Sequence, residues 1–183
     1  MKIRILIIIA IAFISCKNEE KKQNVKVAIE KTDTIHKVEK KETNNSDTIV
    51  VSKKHKTNKI TCDLDGDGLN ETVEIVRSIK SDKSGLRITF GNGNRTDYLG
   101  LGNNVLEQGF DEIDWAGIFE KAPKNEIYWN NVNEDGEIMT DEEVNEADKI
   151  KLVNDGIFIH AEESCGGGVI YLKNGKYEWI QQE

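Results

Sequence analysis

The chain has 183 residues and a formal net charge of −8 at pH 7, with 33 acidic residues against 25 lysines and arginines. The charge is unevenly divided: residues 17–58 contain 11 lysines and 7 acidic residues, whereas residues 59–183 contain 12 basic and 26 acidic residues. A domain with this net charge of −14 repels phosphate groups, so the composition argues against nucleic acid as a partner.

The amino terminus has the features of a secretory signal. Lys2 and Arg4 precede an apolar run of ten residues, 5–14, which is followed by Ser15 and Cys16. A charged start, an apolar stretch and a small residue are typical of export signals. Because a helix needs about 20 apolar residues to cross membrane hydrocarbon, this run does not predict a transmembrane span.

Residues 13–16, Phe-Ile-Ser-Cys, resemble the lipobox of bacterial lipoproteins, with Phe13 in place of the usual aliphatic residue. The resemblance implies cleavage before Cys16 and a membrane anchor of acyl chains on its thiol. The alternative is an ordinary signal peptide with an incidental cysteine. Residues 17–20 also resemble signals that carry lipoproteins to the surface of some Gram-negative cells. We therefore expect an outer-membrane anchor that faces either the cell surface or the periplasm.

Residues 17–58 contain no glycine, proline, leucine, cysteine, phenylalanine, tyrosine or tryptophan. A segment with few apolar and many charged residues cannot offset the chain entropy lost on folding, which predicts a disordered charged linker. Such a coil spans on the order of 35 Å. Valine and isoleucine patches at 25–29 and 49–51 leave open transient strands or a partner-binding segment.

Residues 59–183 are enough for one domain with a modest core. Apolar residues alternate over 72–79 and 86–90, which predicts two consecutive strands. Asp155-Gly156 and Asn174-Gly175 are two-residue hairpin signals between apolar segments. In the second hairpin, the turn sets Leu172 beside Tyr177 and Ile170 beside Trp179.

Residues 113–118 and 126–130 predict a further strand pair around Pro123, and only residues 140–150 have a helical pattern. Together these patterns predict a mainly β domain. Its antiparallel hairpins form one small sheet or a sandwich, with one short helix, and a disordered tether precedes it.

Residues 63–71, Asp-Leu-Asp-Gly-Asp-Gly-Leu-Asn-Glu, place three aspartates at alternating positions. Carboxylates this close repel one another unless a cation joins them, and calcium accepts about six to eight oxygen ligands. Magnesium requires a tighter octahedron, and zinc favours histidine or cysteine, which this loop lacks. The loop therefore predicts a calcium site.

The same residues resemble the calcium loops of integrin α-type FG-GAP and VCBS repeats, which lead directly into a strand. The resemblance implies four carboxylate ligands and one main-chain carbonyl: Asp63, Asp65, Asp67, Glu71 and the carbonyl of Leu69. Glu71 stands where an aspartate is more usual. An EF-hand loop with Glu74 as its last ligand also fits the spacing, but requires flanking helices. An acidic turn without metal is the remaining alternative.

A second acidic loop matches the spacing of a calcium-binding loop less completely. Its candidate ligands are Asn131, Asn133, Asp135, Glu137 and Glu142. The glycine at position six and the glutamate at position twelve match an EF-hand loop, but the first two ligands are neutral. The strand pattern of residues 126–130 also argues against an entering helix. A solvated hairpin or a helix-capping turn is the alternative.

Cys62 and Cys165 are the two cysteines other than Cys16. In an exported protein an isolated pair predicts a disulfide, which would fasten the first acidic loop to the final hairpin. His160 falls in a predicted strand, which favours a role on the strand face over catalysis. The glycines 166–168 are not followed by the lysine of a phosphate-binding loop, which favours a bulged or flexible entry to a strand.

These features favour binding over catalysis. We predict a lipid-anchored envelope protein that is not an enzyme, with a calcium-stabilised β domain that binds an unidentified protein or surface ligand. One alternative is an inhibitor or immunity-type lipoprotein, because a domain this acidic attracts cationic proteins. Another is a hydrolase that uses clustered carboxylates such as Asp111, Glu112 and Asp114.

Overall fold

The computed structural model describes residues 47–103, 106, 109–133, 135–163 and 166–183. The predicted signal, Cys16, residues 17–46 of the predicted linker and Cys165 lie outside the described residues. The regular secondary structure of the described part consists of antiparallel strands and one 3-10 turn at Glu146–Asp148. Within these residues, no helix is long and apolar enough to cross a membrane.

The described strands form two larger sheets and a short ribbon. In chain order they are β1 (Ile49–Val51), β2 (Lys59–Cys62), β3 (Glu71–Ser78), β4 (Ser84–Thr89), β5 (Thr96–Gly100), β6 (Ile118–Ala122), β7 (Ile127–Tyr128), β8 (Ile150–Lys151), β9 (Gly156–His160), β10 (Gly167–Lys173) and β11 (Lys176–Gln182). The first sheet has the order β1-β3-β4-β5, and β2 pairs with β3 beside β1. The second sheet has the order β11-β10-β9-β6, and β7 pairs with β8.

The two larger sheets pack face to face. Successive side chains of a strand lie on opposite faces of a sheet, so Val73 and Ile75 of β3 share one face, and both are fully buried. A single apolar cluster contains residues of both sheets, which makes the domain a sandwich. Its strand members are Cys62, Val73, Ile75, Leu86, Ile88, Leu99, Phe119, Ile157, Ile159 and Ile170. Each fully buried leucine or isoleucine contributes about 1.5–3 kcal/mol to stability.

The second sheet is covered on its other face as well. Val169, Tyr171 and Ile180 are buried there in a second apolar cluster, with Leu152 from the segment that follows β8. Tyr128 and Ile150, the paired residues of the ribbon, pack against this cluster. The ribbon therefore covers this face of the second sheet. The segment that leads into β9 follows it directly.

The mainly β, antiparallel architecture predicted from the sequence is confirmed. The strands predicted at 72–79 and 86–90 correspond to β3 and β4. The hairpin predicted at Asn174-Gly175 joins β10 to β11, with φ angles of 52° and 78° at the two turn residues. Positive φ at both positions is the geometry of a type I′ turn, which explains the Asn-Gly pair.

The predicted linker extends too far along the chain. Residues 49–51 form β1, which pairs with the end of β3, and the backbone N–H of Ser52 donates to the carbonyl of Ile75 at 2.8 Å. Asp47 accepts hydrogen bonds from the Ser78 hydroxyl and from the backbone N–H of Lys80. Three consecutive β-branched residues therefore complete a sheet edge, although the segment around them is highly charged.

Two predicted pairings are wrong. Residues 113–118 and 126–130 do not pair with each other, because β6 starts at Ile118 and pairs with β9, whereas β7 pairs with β8. Asp155-Gly156 is not a hairpin turn either, since β9 pairs with β10 and β6 on its two edges. Long-range pairing of β9 in the sheet centre overrides the local turn signal.

The predicted helix over residues 140–150 is also wrong. The segment contains turns and the 3-10 turn, and Ile150 pairs with Tyr128 in the ribbon. A helix would place Glu142 and Glu146 four residues apart on one face, where like charges repel. Residues 141–148 contain five acidic residues, and the few apolar residues of the segment, Val144, Ala147 and Ile150, do not offset that repulsion.

Candidate functional site

The first acidic loop, residues 63–70, connects β2 to β3. Its aspartates shape it from within: Asp63 accepts a hydrogen bond from the N–H of Gly66 at 2.8 Å, and Asp65 accepts one from the N–H of Asp67 at 3.1 Å. Gly66 and Gly68 have φ angles of 79° and 85°, a left-handed conformation that glycine adopts readily. These hydrogen bonds hold one carboxylate oxygen of Asp63 and one of Asp65 against the backbone of the loop.

Glu71 ends the loop and is fully buried. Its carboxylate accepts hydrogen bonds from the backbone N–H of Leu64 at 2.6 Å and of Gly91 at 3.3 Å. Burial raises the pKa of Glu71 above its ordinary value, because the charged form loses its hydration. The negative charge of this side chain is therefore costly unless something positive shares its environment.

Carboxylate oxygens of Asp63, Asp65 and Glu71 lie within 4.8 Å of one another. Three hard oxygen donors, two of them at a solvent-accessible loop and one buried, fit a hard cation such as calcium. The loop has no histidine or thiolate donor within it, which disfavours zinc. Glu71 would hold such an ion from the side of the core, and the aspartates would hold it from the loop.

Other residues of the predicted ligand set lie elsewhere. The exposed Asp67 carboxylate is outside the group of three and accepts a hydrogen bond from the N–H of Leu69 at 2.7 Å. Glu74 is three residues beyond Glu71 on β3 and therefore on the opposite face, where it pairs with Arg87 at 2.6 Å. The structure thus removes Glu74 from the candidate ligands, because strand geometry replaces the helix that an EF-hand requires.

Asp155 anchors the first acidic loop to the second sheet, a role that sequence reasoning missed. Its backbone N–H donates to the carbonyl of Asp63 at 3.0 Å, and its carboxylate accepts from the N–H of Asp63 at 3.1 Å. Asn154 donates to the carbonyl of Leu64 at 3.2 Å. Burial opposes ionisation of Asp155, but hydrogen bonds from the N–H groups of Lys124 and Asp63 outweigh it and lower its pKa.

The second acidic loop forms a hairpin closed by a bridge between Val132 and Ile138. The Asn133 side-chain oxygen accepts from the N–H groups of Asp135 and Glu137, whereas the side chain of Asn131 bonds to the backbone of Glu183. The Asn131 side chain is thus hydrogen-bonded to Glu183 and is not directed into the loop as a ligand. Thr140 bonds to Glu143 in a turn, so no exiting helix positions Glu142. This geometry corresponds to the hairpin alternative.

Cys62 is fully buried beside Glu71 in the pairing of β2 with β3. Burial raises the pKa of its thiol to about 12, and the Glu71 carboxylate adds to the shift. The predicted partner, Cys165, lies outside the described residues, so the disulfide remains a prediction.

The other residues considered for chemistry have structural contacts. Nδ1 of His160 is 2.7 Å from the Ala161 carbonyl, and its ring stacks on Phe158. A side chain at Gly168 would lie 2.5 Å from the Trp179 ring, so close strand packing explains this glycine. Among the acids considered for hydrolysis, Asp114 pairs with Arg77 and Lys54, and Asp111 and Glu112 pair with Lys83.

Comparison with protein-family models, curated proteins and solved structures finds no match for this chain.

Proposed function

We propose that this protein is a lipid-anchored envelope protein whose acidic β sandwich binds calcium and serves as a binding module rather than an enzyme. The observation that carries the calcium part is the group formed by Asp63, Asp65 and Glu71, with Glu71 fully buried. Calcium would offset both the repulsion among the three carboxylates and the loss of hydration at Glu71.

The position of the loop supports a stabilising role for calcium. Its start is hydrogen-bonded to Asp155, which directly precedes the central strand β9 of the second sheet, and its end leads into β3 of the first sheet. An ion held by Asp63, Asp65 and Glu71 would therefore strengthen a connection between the two sheets. Calcium binds the folded loop better than the unfolded chain, so it should raise stability by about 2.7 kcal/mol at 100 times its Kd.

Calorimetry on the full chain in non-ionic detergent tests the site. We expect calcium to bind with a Kd of about 0.1–1 mM, as in other extracellular modules, and magnesium to bind much more weakly. The substitution Asp65→Asn should remove most of the calcium-dependent rise in melting temperature. Asp67→Asn, which changes the charge equally outside the group of three, is the matched control.

Two outcomes separate the alternatives for this loop. If millimolar calcium produces no heat and no shift in melting temperature, the loop is a metal-free acidic turn held by the hydrogen bonds of Glu71. If Asp67→Asn weakens calcium binding as much as Asp65→Asn, the wider ligand set implied by the FG-GAP resemblance is the correct one.

The lipid anchor is tested separately, by metabolic labelling with a fatty-acid analogue. We expect the wild-type chain to be labelled and the Cys16→Ser variant to be unlabelled, because Cys16 follows the apolar run at the lipobox position. Labelling that persists in the variant would contradict the anchor. For the labelled wild-type protein, proteolysis of intact cells distinguishes a cell-surface location, where the protein is cleaved, from a periplasmic one, where it is protected.

A further inference from the structure

Residues 131–148 form a strongly acidic segment, with eight acidic residues and no lysine, arginine or histidine. The segment is largely exposed in the structure. Its described acidic side chains, all exposed, are Asp135, Glu137, Asp141, Glu142, Glu143, Glu146 and Asp148. Lys149 bridges Asp141 and Glu146 at 2.6 Å each, which leaves the net charge of this surface strongly negative.

A cleft of about 660 Å³, here called the acidic cleft, lies between this segment and the end of β10. Its apolar lining consists of Val132, Met139, Val144, Ala147 and Ile150. A further cavity of about 300 Å³ shares Ile150 and Lys173 with the acidic cleft. The two adjoin at these residues, and the lining of the acidic cleft combines this apolar surface with asparagine and carboxylate side chains.

Two carboxylates, Glu143 and Asp148, line the acidic cleft. In the described part of the chain, their hydrogen-bond donors are neutral: Thr140 for Glu143, and Asn145 for Asp148. The hydrogen bond from the N–H of Thr140 lowers the pKa of Glu143, which keeps it ionised. Lys173 also lines the cleft, but its ammonium group is 3.5 Å from Glu178, which offsets its charge.

We infer that the acidic cleft binds a basic segment of a partner protein, with a lysine or arginine side chain placed along Val144 and Met139. Long basic side chains pack their aliphatic stems against apolar surface and keep the charged group in water, which matches an apolar floor with two carboxylates. The surrounding negative charge would accelerate encounter with a cationic partner. This inference names the partner of the binding module proposed above and does not depend on calcium.

Fluorescence anisotropy with a labelled oligolysine peptide tests the acidic cleft in the full chain. We expect saturable binding that weakens as salt increases, and a loss of about tenfold in affinity for the double variant Glu143→Gln, Asp148→Asn. The matched control is Glu162→Gln, Glu163→Gln, which removes the same charge from a different cleft and should change affinity less than about twofold. Circular dichroism melts verify that each variant is folded.

A second variant separates the cleft from general attraction to an acidic protein. Val144→Asn keeps the net charge but makes the floor of the cleft polar, and we expect it to weaken binding about threefold. The inference is overturned if no peptide binding occurs at low salt, if both charge variants weaken binding equally, or if Val144→Asn has no effect. Equal affinity for free spermine would overturn it as well, in favour of a small polyamine. Calcium binding is measured on the same preparation, so absence of calcium binding would be detected separately from absence of peptide binding.

Discussion

The two acidic loops have similar local sequences and different positions in the fold. Both alternate polar side chains around a glycine with positive φ, at Gly66 in one and Gly136 in the other. The first loop enters β3, so its last carboxylate, on Glu71, is fully buried. The second closes on itself through the hydrogen bonds of Asn133, and Glu137 stays in solvent.

A pattern of carboxylates in the sequence therefore does not by itself define their chemistry. Where the fold buries one carboxylate next to two others, a cation bound there would lower the energy of the folded state. Where the fold leaves the carboxylates exposed, as in the second loop, water already solvates them, and a cation gains less by binding. The strand that follows the first loop is what separates the two cases.

Alanine substitutions at the two loops should give the largest contrast. Glu71→Ala leaves the N–H groups of Leu64 and Gly91 without their acceptor, so we expect the free energy of unfolding to fall by about 3 kcal/mol. Glu137→Ala, at an exposed position, should cost less than about 0.5 kcal/mol. Chemical denaturation in the presence of a chelator measures both. Equal costs would show that the burial of Glu71 does not distinguish the first loop.

A carboxylate with basic partners provides a smaller effect outside both loops. Asp114, with 22 % of its side chain exposed, pairs with Arg77 and Lys54. Burial opposes its ionisation, but the hydrogen bonds from Lys54 and Arg77 outweigh it and hold the pKa of Asp114 well below its usual range. We expect Asp114→Asn to lower the free energy of unfolding by about 1.5 kcal/mol near neutral pH.

The effect of Asp114 should depend on pH in a defined direction. Because its folded pKa is lowered, the stabilisation is fully present above the ordinary value of 3.8 and is lost as the pH falls below it. Denaturation of wild type and variant should therefore converge in acid. Asp82→Asn is the matched control, since Asp82 contacts the same Arg77 but is 88 % exposed, and should change stability little at any pH.

The smallest effect is expected in the alkylation of Cys62, whose reactivity depends on packing beside the first loop. Its burial and its pKa of about 12 predict no alkylation of the native protein near pH 8. Unfolding without reductant distinguishes the two states of the thiol. If the disulfide with Cys165 exists, alkylation requires reductant, and mass spectrometry shows the linked peptides; a free Cys62 is alkylated as soon as the chain unfolds.

Local patterns were sufficient to predict several elements of the fold. The alternation in β3 and β4 and the Asn174-Gly175 turn depend on neighbouring residues alone, and the structure confirms them. The gathering of Asp63, Asp65 and Glu71 also follows from their spacing around a tight loop. The exclusion of Glu74 required the period of a strand and the position of Arg87 across the sheet.

The acidic character of the domain, its β periodicity and its glycine turns follow from the order of residues, because side-chain chemistry and backbone φ preferences act over a few residues. Three other features depend on contacts between distant residues: residues 49–51 complete a sheet edge, β9 lies between β6 and β10, and Asp155 anchors a loop 92 residues away in sequence. These features are set by long-range strand pairing, and by the need of each buried backbone N–H group for a hydrogen-bond acceptor. The acidic cleft has the same origin, since it exists only where residues 131–148 pack beside the end of β10.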